Sequence, residues 1–399
     1  MHLVRFLPAS LIIFIITLLS IIGPFSTDMY LPGLPEIVKY FNTTEAILNA
    51  TLYGFVFTQA LGILLLGPIS DKYGRKPVLL GSIVVYIISS VLCGVCPNIA
   101  AFIICRLIQG FAAGGLMVIS TALIKDCFQE KIRDKVLTLV MVFSVIGPLL
   151  SPILGSWLID IVNWQATLVF PGLLMILGLV LSLFLGESLP KDEKFTGSIA
   201  SVLLHMGTLC KNKPFTYFLI SMGIFSLPFL AYLSVSAYIM EDGFGISKMA
   251  YSLFLGANVI IGTLGMIVVQ KATKKTGPKS TARVILISCI LSGILMLVFG
   301  HLNEFVFIAC FIPCAIAAIT ARPYALGILL RQYDKDTGAV SALFNFALIF
   351  LGCVGMILGT LPWSSYVNGL GICILGTGII ALVFWILLKA GGMKLKGME

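Results

Sequence analysis

The sequence predicts an all-α membrane protein of twelve transmembrane helices in two pseudo-symmetric six-helix bundles. Three observations carry this. The first is composition: 59% of the 399 residues are hydrophobic and 11% are charged, against about a quarter charged in soluble domains. The second is patterning. A spanning helix needs about 20 mostly apolar residues, and twelve such stretches run at roughly 6–28, 45–68, 78–96, 98–124, 136–160, 167–186, 214–240, 248–270, 283–301, 303–330, 338–361 and 366–388. In lipid only helices and closed barrels satisfy the backbone, and these runs are too long and too uniformly apolar for barrel strands. The third is the polar segment Glu187 to Lys213, the longest in the chain, with six stretches on either side. It sets the expected organisation: an N-terminal bundle over 1–190, a cytoplasmic linker over 191–213 and a C-terminal bundle over 214–399.

The first stretch exceeds the h-region of a signal peptide, and Pro24, Phe25 and Tyr30 stand where a small-residue cleavage site would be. It reads as a retained helix. Basic residues set the orientation. Of 26 Lys and Arg, 22 fall in alternate loops and the termini: Arg5; Lys72, Arg75 and Lys76; Lys125, Lys131, Arg133 and Lys135; Lys191, Lys194, Lys211 and Lys213; Lys271, Lys274, Lys275, Lys279 and Arg283; Arg331 and Lys335; Lys389, Lys394 and Lys396. The opposite loops hold only Lys39 and Lys248, while Arg106 and Arg322 lie within apolar stretches. This asymmetry places both termini in the cytoplasm. The net charge of +9 then reflects topology and anionic lipid, and no nucleic-acid partner is expected.

The halves look like distant copies. Between stretches two and three the chain reads Ser70-Asp71-Lys72-Tyr73-Gly74-Arg75-Lys76; between eight and nine it reads Thr273-Lys274-Lys275-Thr276-Gly277-Pro278-Lys279. Such a repeat suggests a transporter with its substrate site near the membrane midplane. Pro24, Pro148, Pro152, Pro228, Pro313 and Pro323 interrupt apolar stretches and predict kinks. The ten cysteines, Cys93 and Cys96 among them, read as small helix-packing residues. His2, His205 and His301 are too scattered to suggest a metal site. The phosphate-binding pattern G-x-x-x-x-G-K-[ST] is absent, so ATP drive in this chain is not expected. No cofactor is implied, and the chain does not read as an enzyme.

Gly67-Pro68-Ile69-Ser70-Asp71-Lys72-Tyr73-Gly74-Arg75-Lys76 is the sharpest motif. Its glycines permit a tight turn. Asp71 and Arg75 put opposite charges at a helix mouth, where ion pairs and helix-end dipoles can latch the bundles. This motif resembles the signature loop of the major facilitator superfamily. Arg106-Leu107-Ile108-Gln109-Gly110 is a second match. The run Gly147-Pro148-Leu149-Leu150-Ser151-Pro152-Ile153-Leu154-Gly155 is similar to the Pro/Gly-rich fifth-helix motif of the family's exporters. Thr27-Asp28-Met29-Tyr30-Leu31-Pro32-Gly33-Leu34-Pro35, Glu187-Ser188-Leu189-Pro190 and Thr337-Gly338-Ala339-Val340-Ser341-Ala342-Leu343 resemble its bicyclomycin/chloramphenicol-resistance (Bcr/CflA) branch of drug:proton antiporters. The chain departs from that branch at Ile63, where a Gln is common, at Ser20, where some relatives carry an acid, and at Arg322-Pro323-Tyr324.

The resemblance implies a proton-coupled exporter of small amphipathic compounds, working by alternating access as a monomer in the bacterial inner membrane. Asp28 is the expected proton site, because a carboxyl group in a low-dielectric site exchanges its proton in the physiological range and persists mainly where function uses it. Arg106 is expected to hold Asp28 ionised or tune its proton release. Tyr30, Tyr53, Gln59, Tyr232, Tyr238, Asn258 and Asn345 are expected to line the cavity with aromatic faces and few fixed charges, a lining that suits amphipathic or cationic drugs. Arg322 either reaches toward the basic end of its helix or attracts an anionic substrate. Gly67, Asp71, Gly74, Arg75 and Lys76 would form the conformational gate. Three alternatives stay open: uptake of an anionic metabolite through Arg106 and Arg322, export of an endogenous metabolite or siderophore, and a non-transporting receptor.

Overall fold

The computed structural model describes residues 8–190, 192, 194–198, 204, 206–333, 337–392 and 395–398. Arg5, Lys191, Glu193, Lys335, Lys394, His2 and His205 lie outside them, as do the side chains of Lys131 and Thr337. The described residues are helical and contain no strand. Eleven helices among them are long and apolar enough to cross a membrane. A further helix, Glu130–Ile161, carries the apolar stretch Ile146–Ile161. The chain is a multi-pass membrane protein.

Contacts divide the chain into two compact units, Met1–Ile199 and Ala200–Glu399. The first contains α1 (Ala9–Thr27), α2 (Leu34–Tyr40), α3 (Glu45–Leu48), α4 (Ala50–Tyr73), α5 (Arg75–Gly94), α6 (Ile99–Cys127), α7 (Glu130–Ile161) and α8 (Trp164–Leu183). The second contains α9 (Lys213–Gly223), α10 (Ser226–Ala237), α11 (Lys248–Thr273), α12 (Pro278–Phe299), α13 (Glu304–Leu330), α14 (Thr337–Gly359) and α15 (Tyr366–Ala390). The helices start where the sequence supplies caps: the side chains of Asn98, Asn163, Ser247 and Asn303 each accept a hydrogen bond from the N–H three residues on, which satisfies a donor the helix leaves open.

The internal repeat is visible in the packing. In the first unit α4 packs on α6, α5 on α6 and on α8, and α1 on α7. In the second, α11 packs on α13, α12 on α13 and on α15, and α10 on α14. These are the same pairings one half-chain apart. The two signature-loop positions correspond as well: Gly74 and Gly277 both have positive φ, 113° and 84°, a conformation that favours glycine. Outward faces carry apolar side chains such as Ile88, Ile104, Val268 and Ile287, as lipid requires.

Candidate functional site

Both halves open with an interrupted span. In the first, α1 ends at Thr27, Asp28 caps it with its N–H on the Pro24 carbonyl, and a 3-10 turn over Leu31–Gly33 leads into α2. The apolar span nevertheless continues from Ala9 to Tyr40, so Asp28 stands at a break inside it. In the second, α9 gives way to α10 at Ile224 and Phe225, and a π turn over Tyr238–Gly243 follows. Interrupted helices at corresponding positions of two repeats are the local signature of a transporter's central site.

Asp28 is half-buried. Its Oδ1 accepts a hydrogen bond from Thr27 Oγ1 at 2.8 Å, and it makes no ion pair among the described residues. The fifth span fixes where this segment lies. A Cβ on Gly155 would fall on the Met29 carbonyl oxygen and 2.7 Å from the Met29 carbonyl carbon. Only a residue without Cβ lets α7 lie against that backbone. Two turns earlier a Cβ on Gly147 would lie 3.4 Å from Pro24 Cβ, an ordinary contact. Gly155 thus fixes the segment directly after Asp28, while Gly147 lies beside Pro24 with room for a methyl group. Between them α7 runs helically through half-buried Pro148 and buried Pro152.

Arg106 makes no ion pair with Asp28. It is fully buried, with its guanidinium carbon 4.6 Å from the Tyr30 ring centroid and 4.3 Å from that of Phe55. The reason is packing: a Cβ on Gly110 would strike the Phe55 carbonyl, so α4 lies against α6 and closes the Phe55 ring over the arginine. Arg106 Nη1 donates to Gln109 Oε1 at 2.7 Å, and Gln109 Nε2 donates to Ser90 Oγ at 2.6 Å. Arg106 Nε and Nη2 have no hydrogen-bond partner among the described residues. Gln109, Ser90 and Phe55 belong to this cluster, and the sequence reading did not assign them. The one available signal was the three-residue spacing of Arg106 and Gln109, which puts them on one helix face.

The candidate cavity residues separate into two groups. Tyr30, Tyr232, Tyr238 and Asn258 are buried. The Tyr30 hydroxyl shares a hydrogen bond with Thr51 Oγ1 at 3.1 Å. Tyr232 stacks on Phe311 with centroids 3.9 Å apart, and its hydroxyl accepts from Asn258 Nδ2 at 2.9 Å. Tyr238 packs near Tyr366. Tyr53, Gln59 and Asn345 are half-buried and Arg322 is exposed; Arg322 Nη2 donates to Asn345 Oδ1 at 3.3 Å. Cys96 faces Cys105, with sulfurs 3.7 Å apart, rather than Cys93, which lies against Gln109.

In the signature loop Arg75 pairs with Asp71 and, through Nε at 3.1 Å, with Asp126. It also donates to Ser70 Oγ at 2.7 Å. Both acidic partners belong to the first unit, so these ion pairs brace that unit. Gly67 is buried within α4. Glu187 performs a task not foreseen: its carboxylate accepts from the backbone N–H groups of Arg75 at 2.8 Å and Lys76 at 3.3 Å. It caps α5 from the far end of the unit. A Cβ on Gly74 would collide with it. Lys76 Nζ in turn donates to the Leu183 carbonyl at 2.8 Å. Removing the carboxylate in Glu187→Ala should cost about 1–2 kcal/mol, as for other lost caps. Thermal unfolding of the purified protein should show Glu187→Gln, which keeps one acceptor oxygen, falling between Glu187→Ala and wild type. Equal melting temperatures for all three would rule out the cap.

Eleven described helices long and apolar enough to span a membrane, a repeated packing pattern and an interrupted first span in each half point to a membrane transporter rather than an enzyme. A family model, "Major Facilitator Superfamily", matches residues 16–360, and the chain belongs to that family. An "Uncharacterized MFS-type transporter YdgK" of Bacillus subtilis is 27% identical over 86% of each chain. A "Bicyclomycin resistance protein homolog" of Haemophilus influenzae is 24% identical over 97% of this chain and 99% of its own, in line with the resemblance to the Bcr/CflA branch. A bacterial homologue of the human lysosomal transporter Spinster, solved in an inward-facing conformation, shares the fold with a TM-score of 0.75 at 14% identity, covering 96% of this chain and 97% of that one.

Proposed function

We propose that this chain exports small amphipathic compounds from the bacterial cytoplasm in exchange for protons, by alternating access, with both termini cytoplasmic. The observation that carries the reading is the carboxyl group of Asp28, half-buried at a break in a spanning helix and without a basic partner among the described residues. Such a group can bind a proton and a substrate alternately. Gly155 of the exporter-like motif holds its segment, and a bicyclomycin resistance protein homolog is among the relatives. Arg106 makes no ion pair with Asp28 but packs against Tyr30, two residues along, and is proposed to tune proton release from there. Each charge moved through 100 mV supplies about 2.3 kcal/mol, enough for roughly a 40-fold substrate gradient at 1.4 kcal/mol per tenfold.

The test is proton movement in proteoliposomes carrying a pH gradient, on adding chloramphenicol or a lipophilic cation. Wild type should release protons on the side substrate leaves from, and Asp28→Asn should abolish the response. Coupling that survives in Asp28→Asn would remove the carrier role from this residue. A second reading, uptake of an anionic metabolite, draws on the exposed guanidinium of Arg322. It predicts protons and an added anion entering together.

A further inference from the structure

We infer that Arg322 and Asn345 form an anion subsite that selects amphipathic organic carboxylates. Arg322 lies eight residues before the end of α13 at Leu330, roughly 12 Å from that end along the axis. It does not lie on the most exposed face of α13. Phe305, Ala309, Pro323 and Gly327 are exposed and share one face of the helix. Arg322 is about 100° away from that face and within about 20° of Phe311, Ala315 and Leu329. Those three are buried. A charged, exposed side chain therefore stands on a face of the second unit whose neighbouring positions are buried or half-buried.

Nothing described in that unit neutralises it. The acids there are Glu241, Asp242 and Glu304. Glu304 starts the same helix, about 27 Å away along its axis. No ion pair involves Arg322 among the described residues. A charge at membrane depth costs about 2.5–3.5 kcal/mol on insertion scales, a cost that a ligand's opposite charge would offset.

Asn345 gives the site its geometry. Its Nδ2 donates to the Ser341 carbonyl at 2.9 Å, which turns Oδ1 toward Arg322 Nη2. One edge of the guanidinium is held in this way, and its other N–H groups make no bond to described residues. A planar fork held on one side and open on the other matches a carboxylate taken in two parallel hydrogen bonds. No second cation of the described unit lies more than two turns inside a spanning helix: Lys279 and Arg283 are in the first turns of α12, and Lys271 and Lys389 are in the last turns of theirs. The site is therefore matched to a monoanion.

This inference rests on the proposed export only for the direction of transport, so binding and transport are measured separately. Isothermal titration of the purified protein compares 4-phenylbutyrate with its uncharged amide. Wild type should bind the carboxylate at least tenfold more tightly. Arg322→Gln should erase that preference while leaving amide affinity within twofold, and Arg322→Lys should keep part of it. Equal affinities in wild type, or an unchanged preference in Arg322→Gln, would overturn the subsite. A preference that is present while no protons move with either compound in proteoliposomes would support the subsite and sink the export reading.

Discussion

Gly155→Ala should strip most transport activity and lower the melting temperature of the purified protein, although it adds a single methyl group. The added Cβ would sit on the backbone carbonyl of Met29, and backbone cannot rotate away as a side chain can. Either α7 moves off α1 or the turn after Asp28 is rebuilt. Overpacking of this kind costs about 1–3 kcal/mol, which in a domain of this size corresponds to roughly 2–12 °C. The functional loss should exceed the thermal one, because Met29 follows Asp28 directly. Gly147→Ala is the matched control. Its Cβ meets Pro24 at 3.4 Å, so both activity and melting temperature should stay close to wild type. Identical behaviour of the two variants would show that the approach at Met29 is not what the motif protects.

Arg106→Met should separate stability from function. The buried guanidinium gains cation–π attraction from Tyr30 and Phe55 and one hydrogen bond to Gln109. A desolvated cation–π contact is worth about 2 kcal/mol. Against this stands a desolvation penalty of several kcal/mol for a buried ion, and two of its nitrogens have no hydrogen-bond partner among the described residues. The terms nearly cancel, so an apolar side chain of similar length should leave the melting temperature unchanged or slightly higher. Substrate-dependent proton movement should nevertheless vanish if the charge held against Tyr30, two residues from Asp28, tunes proton release as proposed. Arg106→Lys should not restore it: an ammonium is a compact point charge that cannot lie flat between two rings. Normal coupling in Arg106→Met would show the arginine to be a packing residue.

The fold was legible because lipid imposes it. Twelve apolar runs of spanning length leave the backbone no other arrangement, and the loop pair around Gly74 and Gly277 disclosed the repeat that the helix pairings display. The site was legible in part. Asp28 stood out because an acid within an apolar run is expensive, and Arg106 for the same reason. That Asp28 falls on an interruption was foreshadowed by Pro24, Pro32 and Gly33.

The partners of these residues were decided elsewhere. The sequence suggested that Arg106 holds Asp28 ionised or tunes its proton release, but not what packs around the guanidinium. In the fold, Gly110 lets Phe55 close over the arginine, and Tyr30 also packs against it. Glu187 capping α5 joins residues more than a hundred positions apart, which no local pattern announces. The sequence by itself determined that the chain spans the membrane, how often, and which rare charges it carries there. The tertiary structure decided which of those charges are sealed and which stay accessible, because that depends on where glycines let two backbones touch.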